Sequence, residues 1–293
     1  MSLPIETFDL ADRDSGPYGV TAGPDGALWF AMVRAGAIGR LEPGGESTSH
    51  RLEPGSGPTV IVTGPDGALW FTEHLAHRIG RLTTDGALAE FTPPTPECGP
   101  YGIAVGHDGA LWFTEVNADR IGRITTGGEI TEFALPVSGS YPSAITAGPD
   151  GGMWFALNQA NAIGRIDASG EVAVHPLPTP GAGPVGVCAG ADAVWFVEIN
   201  AGQVGRITPD GTVTEFPLAD REARPHAIVA DGRGNHWFTE WAGNRVGVIT
   251  SDLEVRSHAL PDAHSEPHGI AVGPDGALWV ALESGALARV TPR

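Results

Sequence analysis

The chain has 293 residues, with 35 Asp and Glu against 17 Lys and Arg, a formal net charge of −18 at neutral pH. So acidic a protein repels phosphate backbones, which excludes nucleic acid as an expected partner, and the charge serves solubility first. Met1 to Thr7 shows neither the basic start nor the apolar run of a secretory signal, and no stretch approaches the ~18 apolar residues of a membrane span; a cytoplasmic protein away from membranes is expected.

The chain opens with Ile5–Leu10, an alternating run that reads as a strand. A unit of about 42 residues then repeats seven times. Tryptophan marks it at Trp29, Trp70, Trp112, Trp154, Trp195, Trp237 and Trp279, and proline at Pro17, Pro58, Pro100, Pro142, Pro184, Pro225 and Pro267. That period with an aromatic signature predicts an all-β fold, a seven-bladed β-propeller with one four-stranded blade per repeat. A single blade cannot bury both faces, so residues 1–293 form one domain.

The third repeat shows the pattern. Tyr101–Val105 is the inner strand, Ala110–Glu115 the second, Arg120–Ile124 the third and Ile130–Leu135 the outer, with Asp- and Gly-rich turns between them. Ile5–Leu10 resembles the outer strands, while the chain finishes on a third strand at Ala288–Thr291. The first segment therefore completes the last blade and closes the ring, removing the exposed edges. Cys98 and Cys188 lie two blades apart, too far for a disulfide, and suit a reducing compartment as buried thiols.

Residues shared by all repeats build the blade; residues that break the pattern are candidates for function. Before each inner strand runs Gly-Pro, but Tyr141, Arg224 and Glu266 replace the glycine in repeats 4, 6 and 7. After the proline stand Tyr18, Thr59, Tyr101, Ser143, Val185, His226 and His268, which ring the axis. Two consecutive histidines there serve no structural need. Glu266 and His268, two apart, would share one side of an extended strand. The recurrent Glu73, Glu115, Glu198 and Glu240, three residues after their tryptophans, read as blade architecture or solvated turn residues. In repeat 7 Leu282 takes that place, Glu283 follows, and the turn is one residue shorter, which is expected to re-aim Glu283 at Glu266 and His268. The remaining histidines read as scattered surface residues.

Two carboxylates near a histidine can hold a hard cation such as Mg²⁺, which keeps several waters; zinc normally asks for more ligands, though this set does not exclude it. A histidine of near-neutral pKa can abstract a proton beside a cation that stabilises the resulting charge. Elimination or hydrolysis of an ester-like substrate follows.

At these residues the chain resembles the virginiamycin B (streptogramin B) lyase family over its full length. The likeness covers Leu69–Glu73 and Leu111–Glu115, the Ile-Gly-Arg third strands and Gly16–Gly19. Its specific part is Arg224-Pro-His-Ala-Ile228, then Glu266-Pro-His-Gly-Ile270, with Glu283 after the shortened turn. The resemblance implies a monomeric Mg²⁺-dependent lyase that opens cyclic depsipeptide antibiotics at their ester by elimination. It implies His268 as general base, Glu266 and Glu283 as Mg²⁺ ligands, and His226 and Tyr18 as substrate contacts. Two other readings stand beside it: a metal-dependent lactonase or esterase of gluconolactonase type, and a non-catalytic binding propeller.

Overall fold

The computed structural model describes residues 3–42, 45 and 47–292. Among them, 28 strands form seven separate four-stranded antiparallel sheets, arranged as the blades of a propeller. The third blade is built from Pro100–Val105, Leu111–Glu115, Arg120–Ile124 and Ile130–Ala134, within a residue or two of the strands read from sequence. Successive inner strands pack side by side around the axis.

Ring closure is as expected. Ile5–Asp9 pairs antiparallel with Ala286–Val290, in register Ile5↔Val290 to Asp9↔Ala286, and becomes the outer strand of blade 7. The Leu10 N–H donates to the Gly285 carbonyl at 3.0 Å and the Thr291 N–H to Pro4 at 3.1 Å, so the joint is bonded at both ends.

The core lies between blades. The second strand of each is buried along its whole length, with Trp29, Trp70, Trp154 and Trp279 fully enclosed. The third-strand glycine follows from this packing: a Cβ on Gly122 would stand 2.1 Å from the Phe113 ring. Each of the seven second-strand tryptophans is covered by an outer-strand ring: Phe8, His50, Phe91, Phe133, His175, Phe216 or His258, with centroids 5.1–6.4 Å apart. His50, His175 and His258 are thus blade components in the slot that phenylalanine fills elsewhere, and His236 is buried against Trp195; they are not scattered surface residues. The indole N–H of Trp29 donates to Asp25 Oδ1 at 3.0 Å while Arg40 Nε donates to Oδ2 at 2.7 Å. Asp66, Asp108, Asp150 and Asp275 repeat this tie.

Glu73, Glu115, Glu198 and Glu240 end their second strands and are at most 1% exposed, so they belong to the blade interior and not to a solvated turn. Glu240 is matched by Arg245 at 2.6 Å. Among the described residues no donor reaches either oxygen of Glu115; burial, then the neighbouring Glu132, pushes it up to about 8. Glu198 is pushed up to about 8, by burial first and, against the hydrogen bond from Gln203, by Glu215. Glu73 rises to about 7 through burial and Glu90. The two cysteines are buried and unpaired, and burial raises both thiols.

Candidate functional site

Two features of every blade build the site. First, each inner strand carries a register break just after its proline, as between Pro267 and Ile270. A bulge there turns the following side chain toward the axis. Second, the residue before the proline is in the left-handed region. Gly16, Gly57, Gly99 and Gly183 take φ of 60–65°, and Tyr141, Arg224 and Glu266 are held at 49–51°. A side chain in that region costs about 1–2 kcal/mol, and such strain concentrates at functional sites. Among these seven equivalent positions, the three that broke the sequence pattern are therefore the three that place a side chain in the left-handed region. This also corrects one expectation. Glu266 precedes the strand, which starts at Pro267, and is exposed while His268 is buried; the extended spacing does not apply to it.

The carbonyl of this left-handed residue accepts the N–H of the residue four after the blade tryptophan. The bond recurs as Val33 to Gly16, His74 to Gly57, Trp241 to Arg224 and Glu283 to Glu266, at 2.9–3.2 Å. Glu283 thus stands where every blade puts a side chain beside the axial mouth. The shortening of the turn falls after it and does not re-aim it. In blade 7 this pairing makes the two glutamates backbone-bonded neighbours; in blade 6 it brings the Arg224 guanidinium over the Trp241 ring, 6.0 Å from its centroid.

His268 is the centre of the cluster. Its Nε2 lies 2.7 Å from Glu283 Oε2. Its ring stacks on Tyr18, with centroids 4.4 Å apart and planes at 28°, and meets His226 edge-on at 4.8 Å. The Tyr18 hydroxyl reaches His226 Nε2 at 3.2 Å and bonds the Tyr101 hydroxyl across the axis. The structure therefore brings His268, His226, Tyr18 and Glu283 into one group, with Glu266 at its rim. Sequence reasoning placed Tyr101 on the axial ring without giving it a role, and passed over Trp241 and Arg34. Trp241 stands 6.3 Å from His268, and its signal was arithmetic: the chain has eight tryptophans and the blades use seven. Arg34 Nη1 donates to Glu283 Oε1 at 2.6 Å.

Burial sets the charges. His268 is pushed down to about 4, by burial and then by Arg34. His226 falls to about 3, by burial and then by His268, with Glu283 opposing. Tyr18 and Tyr101 are raised, Tyr101 to about 12, chiefly by burial. Both imidazoles are thus neutral at neutral pH, with Nδ1 of each lacking a partner. Each imidazole is therefore free to accept a proton at neutral pH, and the Glu283 carboxylate, 2.7 Å from His268 Nε2, would balance the charge that His268 gains. Tyr18, Tyr101 and His226 of the cluster also line an axial cavity of about 250 Å³, together with Val60, Val62, Ile103 and Ile228.

Among the described residues no three His, Cys, Asp or Glu side chains are grouped to hold a metal. The carboxylates at the mouth that could serve a cation are those of Glu266 and Glu283, whose backbones are bonded; such oxygen donors suit a hard cation that retains most of its waters, and in this structure both oxygens of Glu283 are engaged by Arg34 and His268.

The family model for the virginiamycin B lyase family matches residues 3–290. The chain belongs to that family of lyases. A solved streptogramin B lyase is 42% identical, with a TM-score of 0.96, over 99% of this chain and 98% of the other. The virginiamycin B lyase of Staphylococcus aureus is 41% identical, with a TM-score of 0.95, over the whole of both chains; its catalytically inactive histidine-to-alanine variant has been solved with quinupristin. Among curated relatives, the virginiamycin B lyase of Saccharopolyspora erythraea is 63% identical over 96 residues and that of Streptomyces coelicolor 57% over 94. These alignments span 32% and 31% of the relatives' own lengths. A gluconolactonase-like propeller at 16% identity shares the fold alone.

Proposed function

We propose that the protein is a carbon–oxygen lyase that linearises streptogramin B-type cyclic depsipeptides at their ester, acting as a monomer with Mg²⁺. The observation that carries this is His268: neutral, buried at the axial mouth, bonded to Glu283 and flanked by Tyr18 and His226. A relative over the whole chain loses its activity when one histidine becomes alanine. All the residues invoked come from one chain, which suits a monomer.

His268 takes the α-proton of the residue that carries the ester oxygen. The C–H electrons become a Cα=Cβ double bond, the Cβ–O bond breaks, and the ester leaves as a carboxylate. Glu283 fixes the imidazole through Nε2, and the Tyr18 ring holds it flat. His226 and Tyr18 offer the substrate polar contacts in a setting that burial keeps uncharged. Trp241 adds an apolar wall. Glu266 and Glu283 would hold the cation, whose contribution when bound is to stabilise negative charge developing on the substrate carbonyl.

The test is incubation with a streptogramin B in ¹⁸O-water, with and without chelator, followed by mass spectrometry. A linear product with a dehydrated residue and no ¹⁸O supports the proposal. A hydroxyl product carrying ¹⁸O shows a hydrolase on the same site, and no product shows a binding propeller.

A further inference from the structure

Arg34 stands five residues after Trp29. The same place in the other repeats holds Leu75, Asn117, Gln159, Asn200, Ala242 and Ser284. None is charged, so the blade does not need a cation there. The guanidinium crosses from blade 1 to the mouth of blade 7. Its Nη1 donates to Glu283 Oε1 at 2.6 Å, its Nη2 to the Glu283 backbone carbonyl, and its Nε to the Asp14 carbonyl at 3.2 Å. The stem lies flat across Gly16, where a Cβ would come within 2.9 Å of Nε and 3.1 Å of Cγ. Blade 1 thus keeps glycine at the point where blade 7 carries Glu266.

With Oε1 held by Arg34, the other oxygen of Glu283 faces His268 Nε2 at 2.7 Å. The three side chains form one line from solvent to imidazole. The Arg34 side chain is 47% exposed, and ion pairs that exposed contribute little to stability. A cation unique among seven equivalent positions, forked onto a single residue of the site, therefore points to the reaction and not to the fold.

We propose that Arg34 is a positioning residue for the lyase reaction: it holds Glu283 through Oε1 so that Oε2 is aimed at His268, and its charge competes with the divalent cation for that carboxylate. The proposal rests on the roles given above to His268 and Glu283. Two effects of opposite sign follow from removing Arg34. The cation binds more tightly, because a fixed positive charge next to its ligand is gone. Turnover falls, because Glu283 is free to rotate away from His268.

The experiment compares wild type, Arg34→Met and Arg34→Lys, with Leu75→Ala as a control at the equivalent place in blade 2. Mn²⁺ alone is titrated into each by calorimetry or electron paramagnetic resonance. Steady-state rates are then measured with a streptogramin B at saturating Mg²⁺. For Arg34→Met the expected result is Mn²⁺ binding roughly tenfold tighter, with kcat lower by about tenfold or more and little change in KM. Arg34→Lys keeps the charge but not the fork, so it should bind Mn²⁺ like wild type and recover kcat only in part. A purely structural arginine would lower both quantities together, and that result, or unchanged kcat in Arg34→Met, overturns the proposal. If Arg34→Met fails to fold, wild-type kcat in Arg34→Lys overturns it equally. An inactive wild type that binds no Mn²⁺ counts instead against the functional reading on which the proposal rests.

Discussion

His268 and Glu283 meet at 2.7 Å across fifteen positions of the chain, and both belong to the one blade that the two ends of the chain complete together. The cluster is thus tied to ring closure: its base stands on the inner strand, and its carboxylate opens the turn after the second strand, of a sheet that is finished by Ile5–Asp9.

Replacing His268 by alanine removes the proposed base without touching the blade core. Loss of a general base typically lowers the rate by 10²–10⁴. His268→Ala is expected to lose that much in kcat with little change in KM, whereas His226→Ala should raise KM more than it lowers kcat. Steady-state kinetics on a streptogramin B checks both; near-normal turnover by His268→Ala rules the assignment out.

Glu266 offers a substitution that separates stability from activity. Its φ is +49°, which glycine accepts freely. Glu266→Gly is therefore expected to stabilise the protein by about 1 kcal/mol while weakening Mg²⁺ dependence and turnover. Thermal melts and a Mg²⁺ titration of the rate test the two halves. A lower Tm would show that the carboxylate contributes to the fold.

Chelation tests the cation. Removing divalent metal should abolish turnover, and adding excess Mg²⁺ should restore it. Glu283→Gln should keep the fold and respond poorly to added Mg²⁺. Full activity of a metal-free preparation would strike the cation from the mechanism.

The closing strand makes a prediction about stability. Deleting residues 1–10 strips the outer strand from blade 7 and exposes the edge of Ala286–Val290. The truncated protein should melt well below the full-length chain and aggregate. An unchanged melt would contradict closure by this strand.

Glu115 links stability to pH. Its carboxyl is raised from 4.5 to about 8 in the folded protein, so the folded state holds that proton more tightly than the unfolded state. Its contribution is complete below pH 4.5 and is lost as pH rises toward 8. Glutamine mimics the protonated form. Glu115→Gln should melt like wild type near pH 5 and several degrees higher at pH 8.5, since 1 kcal/mol moves Tm by roughly 2–4 °C in a large domain. Equal melts at both pH values would show that the group titrates normally.

The amino-acid sequence by itself determined the propeller, the blade count, the closing strand and most of the cluster. A repeat gives the same local instruction seven times, and any side chain that the blade does not require stands out against it. Tyr141, Arg224, Glu266, His226 and His268 were legible for that reason. Trp241 was legible in the same terms, as the tryptophan left over once each blade has one.

Tertiary structure alone decided what depends on distances between blades and on exclusion of water. That Arg34 of blade 1 reaches Glu283 of blade 7 is a contact between the first and last repeats, which sequence separation hides. That Glu115 and Glu198 lie in the interior follows from the packing that buries the second strands along their whole length, and in sequence they look like any acid near a turn. The left-handed backbone at Glu266 overturned its expected alignment with His268, because the bulge that aims His268 at the axis also ends the extended geometry before it.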